Sequence, residues 1–105
     1  MTRNQQIAST IIDQLGGQKF LAMTGANSLV AGERNVFMRL PRNLTKNRIT
    51  GVRITLNFAD TYDVTTCVQK GSPTFEVTWP EAIGDVYADN LREVFTHMTG
   101  LETSL

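Results

Sequence analysis

Residues 34–59 read RNVFMRLPRNLTKNRITGVRITLNFA, and the second half of that stretch decides the fold. From Val52 to Phe58 the apolar residues Val52, Ile54, Leu56 and Phe58 alternate with Arg53, Thr55 and Asn57, which predicts a strand with one apolar and one polar face. Val36, Met38 and Leu40 alternate in the same way against Asn35, Phe37 and Arg39 until Pro41, which has no backbone donor, ends the run. Strands patterned like this need cover on one side of their sheet only. The stretch is also cationic, holding Arg34, Arg39, Arg42, Lys46, Arg48 and Arg53 without an Asp or Glu. Between its two strands, Arg42 to Thr50 is basic and aperiodic and predicts an exposed loop.

Downstream, Ala59-Asp60-Thr61 reads as a hairpin connection into a strand from Tyr62 to Gln69, with Tyr62, Val64, Thr66 and Val68 on one face. After the turn signal Lys70-Gly71-Ser72-Pro73, Phe75, Val77 and Trp79 alternate with Thr74, Glu76 and Thr78; the first set is expected to face the core, and Pro80 to stop the strand. Asp85 to Met98 then predicts a helix capped by Asp85, with Tyr87, Leu91, Val94, Phe95 and Met98 as its apolar stripe and Gly100 as its stop. Upstream, Ala8, Ile11, Ile12 and Leu15 form a helical stripe, Thr2 with Gln5 fits a capping box, and Gly16-Gly17 ends the helix. Lys19 to Thr24 is a short apolar run between glycines and reads as a strand, as does Ser28 to Ala31 after the turn Gly25-Ala26-Asn27.

The architecture expected from these segments is a single domain over residues 1–105 of the α+β class. It has an antiparallel sheet of about five or six strands, with an N-terminal and a C-terminal helix packed on one face. A chain of 105 residues with 41% hydrophobic content can bury one core without metals or disulfides. The other sheet face, with Phe37, Arg39, Arg53, Thr55, Asn57, Thr65 and Thr78, is expected to be open.

Zero net charge conceals an uneven distribution. Residues 34–59 hold six cations and no acid, whereas residues 60–105 hold Lys70 and Arg92 against eight acids. Such segregation marks a basic binding face or permits head-to-tail self-association into a homo-oligomer. Cys67 is the one cysteine, so no internal disulfide forms and a reducing cytoplasm is the expected location. No apolar run reaches the length of a membrane span, and MTRNQQIAST lacks the apolar centre of a signal peptide.

Catalytic and cofactor chemistry finds no constellation. His97 sits at the edge of the last helical stripe, and Cys67 on an outward strand position without a nearby His reads as a passive thiol. The carboxylate pairs Asp60 with Asp63 and Asp85 with Asp89 are read as hairpin polarity and helix capping. TGANSLVAGER lacks the spacing of a phosphate-cradling loop. A non-enzymatic protein without cofactor or metal is therefore expected. The remaining candidate site is Phe37, Arg39, Arg42, Lys46, Arg48 and Arg53, where cations, polar donors and one ring suit phosphate and base contact.

Four segments, LGGQKFLAMTGANSLV, LPRNLTKNRITGVRITLN, TYDV and VYADNLREVFTHMTGLETSL, resemble a group of small hypothetical proteins encoded by bacteriophages and prophages. The resemblance implies a phage setting in the host cytoplasm and an accessory role, and it transfers no site residue. Nucleic-acid binding through the basic stretch is the leading expectation. The alternative is a protein-directed inhibitor or modulator of a host defence or metabolic complex.

Overall fold

The computed structural model describes residues 2–41, 43–70 and 76–103. It is an α+β structure in which helix α1 (Arg3–Leu15), helix α2 (Gln18–Thr24) and strands β1 (Asn27–Gly32) and β2 (Asn35–Arg39) precede a 3-10 turn at Lys46–Arg48. Strands β3 (Gly51–Leu56), β4 (Tyr62–Lys70), β5 (Glu76–Thr78) and β6 (Ala82–Val86) follow, and after a second 3-10 turn at Ala88–Asn90 the chain ends in helix α3 (Leu91–Thr99).

Local chemistry accounts for the helix ends. Thr2 accepts from the Gln5 amide at 3.2 Å while the Gln5 side chain accepts from the Thr2 amide at 3.0 Å, the expected reciprocal cap. Gly16 and Gly17 then take φ of 129° and 64°, conformations open to glycine, and reverse the chain into α2.

The six strands form an antiparallel sheet in the order β1-β2-β3-β4-β5, and β6 also pairs with β4. Strand β4 is long enough to serve two partners on one edge: Val68 to Lys70 pair with β5, and Tyr62 to Thr65 pair with β6. Between them the Thr66 amide donates to the Glu81 carbonyl at 2.9 Å, so pairing is carried past Trp79 and Pro80 with one extra residue, a bulge.

The inner face of the sheet carries Val36, Met38, Val52, Ile54, Tyr62 and Val64, all buried. Against it pack Ile7, Ile11 and Leu15 of α1, Phe20 of α2, and Leu91, Phe95 and Met98 of α3. Phe20 meets Phe95 edge to face at 5.1 Å between ring centroids, which joins α2 to α3. Among the described residues no helix is long and apolar enough to cross a membrane.

Several expectations are corrected. Lys19 to Thr24 is helical: an apolar run of six cannot be assigned by period alone, and here Phe20, Leu21 and Thr24 turn inward at helical spacing while Ala22 and Met23 are outside. Phe58 is 92% exposed, because β3 ends at Leu56 and the chain turns at Asn57, which accepts from the amides of Ala59 and Thr61. Leu56 itself is only partly buried.

The largest change is in β5. Its register opposes Thr78 to Val68 and Val77 to Gln69, so Val77 and Trp79 lie on the outer face and Thr78 shares the face of Val68. The period of the alternation is the expected one and its phase is the opposite. Phe75 and Thr74 fall outside the described residues.

The last helix begins at Leu91 and not at Asp85. Asp85 belongs to β6, which Pro80 precedes without ending the sheet, and Tyr87 is exposed. The predicted loop after Pro41 holds the 3-10 turn, and its end is anchored by Ile49, which is buried.

Candidate nucleic-acid interface on the outer sheet face

Strand register builds the outer face row by row. Val30, Phe37, Arg53, Thr65 and Ala82 lie directly across from one another on successive strands. The adjoining row runs Arg39, Gly51, Cys67, and the row on the other side Asn35, Thr55, Asp63. Phe37, Arg39 and Arg53 of the predicted site are therefore brought together on one surface.

Gly51 lets this surface pack. A Cβ built there would stand 2.7 Å from Phe37 Cζ, so the absent side chain makes the room that the phenyl ring occupies. Trp79 then meets Phe37 at 6.5 Å with the ring planes 72° apart, and the Arg53 guanidinium lies 4.5 Å from the Trp79 ring centroid. Cys67, paired with Gly51 under this layer, is only 3% exposed. Burial pushes its thiol above the ordinary value, outweighing the hydrogen bond with Thr50 and the charge of Arg53, so the thiolate is disfavoured.

Trp79 remains 43% exposed, with Val77 (49%) and Val30 (58%) flanking the cluster on either side. The expected open polar face is thus an aromatic and cationic platform with an apolar fringe. Trp79 was missed because alternation tells which residues share a face and not which face it is.

Two of the other predicted cations, Lys46 and Arg48, lie on the 3-10 turn between β2 and β3. Lys46 lies against Gly100 at the end of α3, where a Cβ on Gly100 would be 3.4 Å from Lys46 Cβ. Arg48 is exposed on the same 3-10 turn, and Arg42 falls outside the described residues. Arg34 is committed to backbone: its Nε donates to the Leu56 carbonyl at 2.9 Å, its Nη2 to the Asn57 carbonyl at 3.1 Å, and its guanidinium covers the Phe58 ring at 4.6 Å. The described cations of this run therefore do not form one basic patch.

The carboxylates also regroup. Asn57 Nδ2 donates to Asp63 Oδ1 at 3.1 Å and to Asp85 Oδ1 at 3.4 Å, so one member of each pair read from the sequence meets the other across β4 and β6. Among the described residues no group of three His, Cys, Asp or Glu is placed to hold a metal. His97 is exposed on the last turn of α3, across the sheet from Cys67.

A groove of about 370 Å³ lies on the opposite side of the molecule, between α1, the start of α2 and β1, lined chiefly by Ala8, Ile12, Leu21, Leu29 and Ala31. It contains no cation and one carboxylate, Asp13. Comparison with protein-family models, curated proteins and solved structures returns no match to this chain.

Proposed function

We propose that this chain is a non-enzymatic nucleic-acid-binding protein whose contact surface is the outer face of the sheet, acting as an accessory factor in the cytoplasm of a phage-infected host. The observation that carries the reading is the cluster of Phe37, Trp79 and Arg53, with Arg39 one row away. Rings supply stacking to bases of any identity, and guanidinium groups supply donors to phosphate. Among the described residues the side chains of Arg39 and Arg53 make no hydrogen bond or ion pair, so both retain donors for a ligand. Sequence-tolerant contact fits this inventory better than base-specific readout of a duplex, which needs a helix or ribbon inserted in a groove.

Salt dependence tests the reading and counts the cations in use. Each neutralised phosphate of a single strand contributes about 0.7 to the log-log slope, so Arg39 and Arg53 alone give a slope of about 1.4. Recruitment of Arg42, Lys46 and Arg48 as well would raise it to about 3.5. Anisotropy of a labelled oligonucleotide at low and moderate salt measures this, and no binding at low salt rejects the proposal.

A second reading, capture of a host protein, draws on the exposed Val30 and Val77, apolar side chains that phosphate contact does not require. In that case Trp79 and Arg53 act as binding hot spots, and the same oligonucleotide experiment shows no affinity.

A further inference from the structure

Resting on the nucleic-acid reading, we infer that the ligand of the outer face is an unpaired strand and that Trp79 seats one of its bases. The first argument is the angle between the rings. Phe37 and Trp79 stand 72° apart with centroids separated by 6.5 Å. Bases in a duplex are parallel and their faces are already covered by neighbours, so no duplex presents surfaces to both rings. A single strand can splay adjacent bases and offer each ring its own partner.

The second argument is charge. Duplex affinity without base readout grows with the number of phosphates neutralised, and among the described residues the platform brings only Arg39 and Arg53 to that task, with Asp63 in a neighbouring row. Two guanidinium groups make a weak duplex site. On an unpaired strand they add to stacking, which a duplex withholds. The third argument is where Arg53 sits: its guanidinium already lies over the indole at 4.5 Å, so a cation is held at the ring where a base and its phosphate would arrive.

Trp79 is the one tryptophan in the chain, which makes its fluorescence a clean reporter. The experiment titrates the full chain at low salt with a thymidine 12-mer and with a duplex of equal length, following tryptophan emission and, in parallel, anisotropy of the labelled nucleic acid. The expected result is quenching by the single strand, with affinity at least about tenfold above that for the duplex. Trp79→Leu should weaken the single strand about tenfold, and Trp79→Phe should retain most of the binding.

Equal or tighter duplex binding overturns the inference and leaves the nucleic-acid reading standing. So does single-strand binding that changes neither emission nor, in Trp79→Leu, affinity. Failure of both nucleic acids to bind rejects the function and the inference together. If Trp79→Leu loses its fold by circular dichroism, the wild-type emission change and Trp79→Phe decide the question unaided.

Discussion

Two arginines in this molecule lie over aromatic rings at nearly the same distance, Arg34 over Phe58 at 4.6 Å and Arg53 over Trp79 at 4.5 Å, and they do different work. Arg34 spends its donors on the carbonyls of Leu56 and Asn57 and fastens the end of β3 to the turn that follows. Its own backbone is also engaged, since its amide donates to Asn4 of α1 and its carbonyl accepts from Leu56. Arg53 stands in the middle of a strand with its donors unspent among the described residues. The ring distance is common to both; what separates a structural clamp from a group with donors to spare is where the N–H groups point.

Substitutions can break this contrast. The largest effect is expected at Gly51, where Ala would drive a methyl to 2.7 Å from Phe37 and 3.0 Å from the Met38 carbonyl. Overpacking of this kind costs about 1–3 kcal/mol, and it should dislodge Phe37 from Trp79, so Gly51→Ala should lower denaturant stability and nucleic-acid affinity together. Unchanged affinity would show that the seating of Phe37 is irrelevant to the surface.

Next comes Arg34→Ala, which removes two charge-assisted bonds to backbone carbonyls and should cost about 1–2 kcal/mol after allowance for partial exposure. Arg34→Lys should rescue little, because an ammonium cannot bridge the two carbonyls as the planar fork does. Affinity for oligonucleotides should be untouched, and a loss equal to that of Arg53→Ala would erase the distinction drawn above.

An alkaline effect of smaller size is expected from the two buried acids. Burial raises Cys67 above its ordinary value of 9.0 and raises Tyr62 above 10.0, in the latter case against a lowering hydrogen bond with Gln14. With the folded values higher, the folded chain binds more protons than the unfolded chain, so this contribution is complete below the unfolded values. It is lost as pH rises from there through the folded ones. Melting temperature should therefore fall as pH rises above about 9, and Cys67→Ala should flatten the lower part of that fall.

The smallest effect on stability, under about 1 kcal/mol, is expected for Arg53→Ala, which loses one partly solvated cation–π contact. Its signature should be in binding: a salt slope reduced by about 0.7 for a single strand. A slope that stays constant while stability drops would place Arg53 with Arg34 as a structural group.

Much of this fold is legible without coordinates. The capping box at Thr2 and Gln5, the strands around Val36 to Met38 and Val52 to Ile54, and the stripe Leu91, Phe95 and Met98 each depend on chemistry within a few residues or on a long period. Three of the four platform residues were legible too, since Phe37, Arg39 and Arg53 sit at outward positions of two well-patterned strands. Trp79 was not, because β5 is three residues long and the phase of so short an alternation is set by its partner β4.

By itself the sequence determined the class of the fold, the extent of the main strands and the sign of the charge around them, because period and capping act locally. Tertiary structure alone decided which cations meet. Sidedness in a sheet comes from register across strands, and a turn as short as Lys46–Arg48 can carry charge away from the strands that flank it. For that reason the five described cations of the run became two arginines on a platform, one clamp and a separate basic turn, and a tryptophan read as core became the centre of the exposed face.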